Sequence, residues 1–349
     1  MASADASTGE RIFIFNGDAD GIVAQHILGL ETQRPDVRIT GRKRDIELLK
    51  LAPPLERGQI HVLDVSLRRN LDALKALVPA LDRGGLRITW YDHHDPGEPP
   101  AHPGLTLHIN QAPEACTGVI VNAVLGHKQP LWAAMAAFGD NLPATASALA
   151  STGGASAHEA ALLRRVGVLI NYNAYGDEPG DALFEAADLA ERMATCASAL
   201  DFCWEQSIFG PLAAQFDADR ERFQVLAPLA ETPTAGVFLV PDQPYARRYG
   251  ATWANERVML NPEQALAVLH PRKDGSYTVS IRAPRDWRGG EVGEGGGGGA
   301  GGVKAAPSAS DLAREFPTGG GRRLAAGINA LPGDLLERFT ERFQAFYQG

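Results

Sequence analysis

The chain has 349 residues, 44% of them hydrophobic, which is enough for a packed core and about two domains. Its 33 basic and 42 acidic residues give a formal net charge of −9, which argues against a protein that coats duplex nucleic acid. Three cysteines are too few for a disulfide framework, and no apolar stretch is long enough to span a membrane. The N-terminal residues lack the apolar segment of a secretory signal, so we expect a cytoplasmic protein.

Short apolar runs alternate with helix-like segments over the first hundred residues. Runs at Arg11–Phe15, Gln59–Leu63 and Leu86–Tyr91 predict buried strands. Between them, apolar residues recur at helical spacing over Ile22–Leu30 and Leu67–Leu81. This alternation predicts an α/β fold in which a doubly wound parallel sheet is covered by helices.

The rest of the chain is predicted to contain more helix and then a second group of strands. Helices are predicted at 117–125 and 131–139, and residues 156–227 are mostly helix-like. A break that contains Pro and Thr follows at 228–236 and predicts a domain boundary. Beyond it, the predicted strands are Gly236–Val240, Arg257–Leu260, Ala265–His270 and Ser276–Ala283, and the final helix is Asp334–Tyr347.

These elements divide the chain into three predicted regions. They are an N-terminal α/β domain over residues 10–200, a helical connector over 201–232 and a smaller C-terminal α+β domain over 233–349. Within the last region, the glycine-rich segment Gly289–Gly302 is predicted to be a mobile loop.

Acidic and imidazole side chains come directly after the predicted strands. These residues are Asp18, Asp20, Asp64, Asp92, His93 and His94, and Asp140 follows a later predicted helix. Because the carboxyl ends of parallel strands meet at one edge of a sheet, we expect the side chains to lie together. Each alone has a structural alternative, since an aspartate at a turn often caps the following helix and a histidine pair can lie on a solvated loop.

The set as a whole indicates a metal site. Five carboxylates at one edge of a sheet repel one another unless cations neutralise them. Oxygen ligands with one or two imidazoles favour Mn²⁺ or Mg²⁺ over a thiolate-rich zinc site. An aspartate that bridges two such ions would suit an attack on phosphorus.

The order and spacing of these residues resemble the motifs of the DHH phosphoesterases. The matching segments are Asn16-Gly-Asp-Ala-Asp-Gly21, Leu63-Asp64, Asp92-His93-His94 and Gly139-Asp140. In the C-terminal region, Gly319-Gly320-Gly321 and the strand-like Val279–Arg282 resemble the DHH-associated domain. The resemblance covers nearly the whole chain and is to the small two-domain type, similar to the nanoRNase/pAp phosphatases.

The resemblance implies a role for each residue of the acidic cluster. Asp64 would bridge two ions of Mn²⁺ (or Mg²⁺), with Asp18 on the first ion. Asp20, His93 and Asp140 would complete the second ion's ligands. Oxygen-rich ligation of this kind is what such hard cations prefer.

The resemblance also implies residues that act on the substrate. His94 would face the scissile phosphate as a donor to its oxygen or to the leaving group, and Asp92 would orient this segment. Arg282, Arg322 and the backbone amides of Gly319–Gly321 would hold another phosphate or the terminal nucleotide of the substrate.

Two positions depart from the family's pattern. Many members carry a histidine ligand four residues before the first aspartate, where this chain has Ile14. The amide oxygen of Asn16 could ligate a hard cation there, although more weakly. The histidine that usually follows the triple glycine is Arg322 here, whose guanidinium suits a more highly charged phosphate group.

The predicted activity is that of a metal-dependent phosphodiesterase or phosphatase that hydrolyses short oligonucleotides, 3′-phosphoadenosine 5′-phosphate (pAp) or dinucleotides with metal-activated water. The large exonucleases of the superfamily carry extra domains for which this chain has no room, and its negative charge disfavours long polyanions. A single-strand exonuclease, a cyclic-dinucleotide phosphodiesterase, a polyphosphatase and a nucleotide-binding sensor without turnover remain alternatives. A homodimer is left open, whereas membranes and stable duplex nucleic acid are not expected partners.

Overall fold

The computed structural model describes residues 9–176, 178–287 and 306–348. These residues form two units, one up to Gln215 and one from Phe216 onward. The division falls inside a helix of the region predicted to be a connector. The segment Gly289–Gly302, predicted to be a mobile loop, lies outside the described residues.

Five parallel strands form the sheet of the first unit. They are β1 (Glu10–Phe15), β2 (Val37–Thr40), β3 (Gly58–Leu63), β4 (Leu86–Asp92) and β5 (Leu105–Ile109). Their order is β2-β1-β3-β4-β5, so the direction of winding changes between β1 and β3. Open parallel sheets bind ligands at the carboxyl ends of the strands beside such a change. The predicted doubly wound α/β sheet is confirmed.

Two strands of this sheet were not apparent from the sequence. β2 and β5 lie at the two edges of the sheet, and their residues are only partly buried or exposed. An edge strand packs less apolar surface than a central one, so its hydrophobic pattern is weaker. In contrast, residues Ile12–Phe15 of the central strand β1 are fully buried.

Helices cover this sheet and form the rest of the first unit. They are α1 (Ala19–Glu31), α2 (Leu71–Asp82), α3 (Thr117–Val124), α4 (Pro130–Gly139), α5 (Pro143–Thr152), α6 (Ala157–Ala174), α7 (Ala186–Thr195), α8 (Ala199–Cys203) and α9 (Gln206–Gln224), the last of which continues into the second unit. α1 is buried over most of its length and packs against α3 and α4. The helix predicted at Leu67–Leu81 begins as a 3₁₀ turn over Leu67–Asn70. Within the described ranges, no helix combines the length and apolar character needed to cross a membrane.

The second unit contains a mixed six-stranded sheet with helices. Its elements are β6 (Ala230–Glu231), β7 (Ala235–Leu239), α10 (Pro244–Leu260), β8 (Ala265–Pro271), β9 (Tyr277–Arg282), α11 (Ala309–Arg314), β10 (Gly319–Gly321), β11 (Ala325–Leu331) and α12 (Leu336–Phe346). The strand order is β10-β11-β9-β8-β7-β6, with β7 and β8 parallel and the other neighbours antiparallel. α12 buries Phe339 and Phe343 in the core of this unit. The predicted α+β character of the C-terminal region is confirmed.

The strand predicted at Arg257–Leu260 is wrong, because these residues form the last turn of α10. Pro244 lies in the first turn of this helix, and Val258 faces the interior of the unit. The Arg257 guanidinium lies 5.8 Å from the ring centre of Trp253, one helical turn earlier. A four-residue apolar window does not distinguish the end of a helix from a strand.

The turn after β1 requires glycine at position 17. A Cβ atom there would lie 1.8 Å from the carbonyl oxygen of Gly41 and 2.8 Å from Cβ of Ala186. The first distance is far shorter than a van der Waals contact, so the loop after β2 packs directly on the backbone of this turn. The contact therefore fixes the loop after β2 beside the carboxyl end of β1.

Gly17→Ala is expected to destabilise the protein by about 2 kcal/mol or more, because the backbone must move to admit the methyl group. Gly29→Ala, within α1, is the matched control, since its Cβ would have only Phe13 within 4 Å, at 3.9 Å. There, alanine should leave stability unchanged or raise it by up to ~1 kcal/mol. Urea unfolding followed by circular dichroism measures both variants. Equal stability of the two would contradict the close packing at Gly17.

Candidate metal centre

The carboxyl ends of β1, β3 and β4 lie side by side. In the parallel register, Phe15 of β1 pairs with Leu63 of β3, and Leu63 pairs with Tyr91 of β4. The segments that follow these three residues therefore leave the sheet at the same edge. This is the edge at which open parallel sheets bind their ligands.

One group of side chains at this edge has the spacing of a metal site. Within the part of the chain that the structure describes, Asp64, Asp92, His93 and His94 each offer one ligand atom, and these atoms lie within 4.8 Å of one another. Asp140 lies next to the group, with its Oδ2 atom 4.0 Å from Nε2 of His93. Carboxylate oxygens and imidazole nitrogens in this arrangement could hold a divalent cation.

Asp64 lies at the centre of this group. Its Oδ1 atom is 3.5 Å from Nε2 of His93 and 4.0 Å from Nδ1 of His94. The same oxygen accepts a hydrogen bond from the hydroxyl of Thr117 at 3.4 Å. The Asp64 backbone has a φ of 55°, in the left-handed region that residues other than glycine rarely adopt. Such a conformation costs free energy and is most common at functional sites.

Asp92 and His94 form a hydrogen-bonded pair. Nδ1 of His94 donates to Oδ1 of Asp92 at 2.7 Å, and the backbone N–H of His93 donates to the same oxygen at 2.9 Å. Burial lowers the pKa of His94, but the hydrogen bond and charge of Asp92 outweigh it and raise the pKa above the ordinary value. The pair therefore holds a proton at Nδ1 and leaves Nε2 for another partner.

Asp18 and Lys43 form an ion pair at the neighbouring strand end. Nζ of Lys43 donates to Oδ2 of Asp18, while Oδ1 of Asp18 accepts from the N–H of Gly21 and caps α1. Burial raises the pKa of Asp18, but the charge and hydrogen bond of Lys43 lower it to about 2. Burial lowers the pKa of Lys43, but Asp18 raises it well above its usual range. Both groups are therefore charged at neutral pH.

Asp20 caps the start of α3 with both carboxylate oxygens. Oδ2 accepts from the backbone N–H of Thr117 at 2.6 Å, and Oδ1 accepts from that of Gly118 at 2.7 Å. These bonds satisfy amides of the first helical turn, where a negative charge is stabilising. Both oxygens are thus already in use within the protein, and a ligand role for Asp20 stays a prediction.

Asn16 connects the turn after β1 to the loop after β2. Its Oδ1 accepts from the backbone N–H of Asp18 at 3.2 Å, and its Nδ2 donates to the carbonyl of Lys43 at 3.0 Å. The oxygen that could replace a missing metal ligand is therefore engaged by the backbone. Ile14, where the resemblance implies a histidine, is fully buried in β1. This geometry favours a positioning role for Asn16.

The remaining aspartates of the cluster repel one another. Burial and the charges of four neighbouring aspartates raise the pKa of Asp64 well above its ordinary value. Burial and the charge of Asp20 raise the pKa of Asp140 to about 6. Oδ2 of Asp92 is buried and has no hydrogen-bond partner among the described residues. A divalent cation would relieve the repulsion between these carboxylates, so the residues present fit Mn²⁺ or Mg²⁺.

The two arginines predicted to hold substrate lie in the second unit. Nη1 of Arg282, at the end of β9, donates to Oγ of Ser280 at 2.8 Å and to the carbonyl of Ile281 at 3.2 Å. Ala325 of β11 pairs with Arg282 and accepts a hydrogen bond from the backbone N–H of Arg322 at 2.8 Å. The backbones of the two arginines are therefore at the same end of this sheet.

The triple glycine forms the edge strand of the same sheet. Gly319–Gly321 pair with β11, and the N–H of Gly319 donates to the carbonyl of Phe316 at 3.2 Å. A Cβ at Gly319 would lie 1.7 Å from the carbonyl oxygen of Ala313, so glycine is required there for packing. A phosphate-binding role for these amides stays a prediction.

Several contacts of the centre were not apparent from the sequence. Lys43 and Asn171 are 128 residues apart, yet Nζ donates to Oδ1 of Asn171 at 3.1 Å. Lys43 lies between Arg42 and Arg44, a basic run of the kind that usually faces solvent. The position of this run, directly after β2, would place it near the carboxyl edge of the sheet, but β2 was not predicted from the sequence.

Comparison with solved structures identifies the fold. The exonuclease RecJ bound to manganese matches over 97% of this chain and 90% of its own, with a TM-score of 0.56 and 20% identity. The DHH domain of a member of the S1p family of ribosomal proteins matches over 97% of this chain and 86% of its own length, with a TM-score of 0.63 and 13% sequence identity. PggH from Vibrio cholerae, a pGpG-specific phosphodiesterase, matches over 97% of this chain and 98% of its own length, with a TM-score of 0.53 and 11% sequence identity. No family model and no curated protein matches the sequence. The chain has the DHH-domain fold, as the motif resemblance implied.

Binding of Mn²⁺ is expected to weaken as the pH falls from 7.5 to 5. The pKa of Asp140 is about 6 and that of Asp64 is raised, so both carboxyl groups take up protons that the ion must displace. We expect an affinity lower by about tenfold or more at pH 5, measured by calorimetry.

The contribution of Asp140 to the stability of the ion-free protein should change in the opposite direction. A carboxyl whose pKa is raised in the folded state stabilises it at low pH, and Asp140 loses this contribution as the pH rises from 3.8 to about 6. The increase in Tm caused by Mn²⁺ should therefore be larger at pH 7.5 than at pH 5. Asp140→Asn is the control and should bind with a flatter pH profile. Equal affinity of the wild-type protein at both pH values would contradict this account.

Proposed function

We propose that this chain is a metal-dependent phosphoesterase that hydrolyses short phosphate-bearing nucleotides. The observation that carries the proposal is the group formed by Asp64, Asp92, His93 and His94 at the carboxyl edge of a parallel sheet. The fold is shared with a manganese-bound exonuclease and with a pGpG-specific phosphodiesterase, which supports phosphate ester chemistry here.

The proposed ligands of the metal are Asp64, His93 and Asp140. A bound Mn²⁺ or Mg²⁺ would lower the pKa of a water molecule and neutralise negative charge on the phosphate. Asp64 is central to this group because its carboxylate faces both histidines. Burial and the charges of neighbouring aspartates raise its pKa, and a cation would offset those charges.

His94 is proposed to give a proton to a phosphate oxygen or to the leaving group. Asp92 orients the imidazole through Nδ1, and the His94 side chain is 45% exposed, so a substrate can reach it. The raised pKa of His94 increases the protonated fraction near neutral pH, which is what a general acid requires. Asp92 therefore acts through His94 rather than on the substrate.

The proposed substrates are dinucleotides, pAp and short oligonucleotides. A net charge of −9 disfavours binding of long polyanions. Chain length does not exclude an exonuclease, because this chain spans 90% of one RecJ structure. The phosphodiesterase PggH is described as specific for pGpG, a dinucleotide, and this chain spans 98% of it, which supports the short substrates.

A panel of substrates tests the proposal. Protein treated with EDTA is supplied with Mn²⁺ and given pAp, dinucleotides, cyclic dinucleotides, polyphosphate, and RNA and DNA strands of increasing length. We expect turnover on the shortest nucleotides and a decrease with length. Processive digestion of long strands would favour a single-strand exonuclease, and binding without turnover would favour a nucleotide sensor.

Asp64→Ala is expected to lower kcat by about 10³-fold or more, because it removes the carboxylate at the centre of the group. Asp72→Ala, at an exposed position of α2, is the matched control and should keep kcat within about twofold. Circular dichroism checks that both variants are folded. Near-normal turnover by Asp64→Ala would exclude the proposed centre.

Arg282→Ala is expected to raise KM by about tenfold and to change kcat less, because the guanidinium is proposed to hold a phosphate away from the reacting bond. Arg272→Ala, beyond the other end of β9, is the control and should leave KM unchanged. Initial-rate kinetics on the best substrate of the panel measure both. An unchanged KM for Arg282→Ala on every substrate would remove this residue from the binding site.

A further inference from the structure

The acidic cluster already contains one cation, the ammonium group of Lys43. Nζ is paired with Oδ2 of Asp18 and donates to Oδ1 of Asn171 at 3.1 Å. The Asp18 side chain is 5% exposed and that of Lys43 is 30% exposed, so the pair is largely shielded from solvent. Charges in such surroundings interact more strongly than those of a surface ion pair.

The backbone of Lys43 is held as firmly as its side chain. Its N–H donates to the carbonyl of Ala174 at 3.3 Å, and its carbonyl accepts from Nδ2 of Asn16 at 3.0 Å. Nζ also lies 5.3 Å from the ring centre of Tyr175, within the range of a cation–π contact. The loop itself is packed against Gly17. The ammonium group is therefore a fixed part of the cluster.

Among the described residues, both oxygens of the Asp18 carboxylate already have partners. Oδ1 of Asp18 accepts from the N–H of Gly21 at 3.1 Å, and Oδ2 is paired with Lys43. Position 14 is a buried isoleucine, and both ends of the Asn16 amide are hydrogen bonded to the backbone. The carboxylates and imidazoles that remain for a metal are those grouped around Asp64.

We propose that Lys43 takes the place of one of the two metal ions that the resemblance implies, so that the centre binds a single divalent ion. This inference rests on the metal centre of the proposed function and assigns the ion to the group around Asp64. Lys43 neutralises Asp18 and repels a second cation at the same carboxylate. A second ion at Asp18 would have to displace Lys43 and break its hydrogen bond to Asn171.

The number of Mn²⁺ ions bound by the full chain tests this inference. Protein treated with EDTA is titrated with Mn²⁺ by calorimetry, and the loaded protein is examined by electron paramagnetic resonance. We expect one ion per chain and the spectrum of an isolated Mn²⁺ ion. Two ions per chain, or the spectrum of a spin-coupled pair, would overturn the inference.

Lys43→Met tests the role of the ammonium directly. The substitution removes the charge, keeps most of the side-chain volume, and frees Oδ2 of Asp18 and Oδ1 of Asn171 as ligands. We expect it to bind a second Mn²⁺ ion. Lys50→Met, which removes an exposed ion pair with Glu47, is the matched control and should bind one ion. A folded Lys43→Met protein that still binds one ion would overturn the inference, and the wild-type count decides the matter if this variant does not fold.

Failure of the inference and failure of the proposed function give different results. Turnover on the substrate panel with two bound ions would keep the phosphoesterase and remove the role of Lys43. One bound ion without turnover would keep the single-ion centre and remove the phosphoesterase. A wild-type protein that binds no Mn²⁺ would remove both.

Discussion

Repulsion between buried carboxylates is the constraint on which this site depends. Five aspartates are brought to one edge of the parallel sheet, and the protein offsets three of them in different ways. Asp20 accepts two amides at the start of α3, Asp18 is paired with Lys43, and Asp92 accepts hydrogen bonds from His93 and His94. For the two that remain, Asp64 and Asp140, burial and the neighbouring charges raise the pKa. The charge that a bound cation could offset is therefore concentrated in one part of the cluster.

The backbone conformations that position these side chains cost free energy. Asp64 has a left-handed backbone directly after β3, and Asn141, which follows Asp140, also has a positive φ of 58°. Gly17 admits no side chain, because the loop after β2 lies against it. Conformations of this kind persist only where the surrounding packing enforces them. The central strands supply that packing, since the residues before the turns are buried in the sheet.

The parts of the fold that could be predicted are those with a strong local pattern. β1, β3 and β4 are rich in apolar residues because most of their side chains are buried between neighbouring strands and helices. β2 and β5 are edge strands with a weak apolar pattern, and Arg257–Leu260, the end of α10, has an apolar pattern that a short strand could also have. Aspartates at strand ends could be grouped because parallel register does not depend on loop conformation.

The partners of those aspartates could not be predicted in the same way. Lys43 reaches Asp18 only because the loop after β2 packs on Gly17, and Asp20 reaches α3 across 97 residues of chain.

An ammonium group differs from a divalent ion in one respect that matters for the proposed chemistry: it supplies charge but does not activate water. If Lys43 replaces an ion, less positive charge is available to stabilise a leaving group, and more of that task falls to a proton donor. His94 suits the task, because Asp92 both orients it and raises its pKa. The proposed roles of Lys43, which offsets the charge of Asp18, and of His94, which would donate a proton, are therefore complementary.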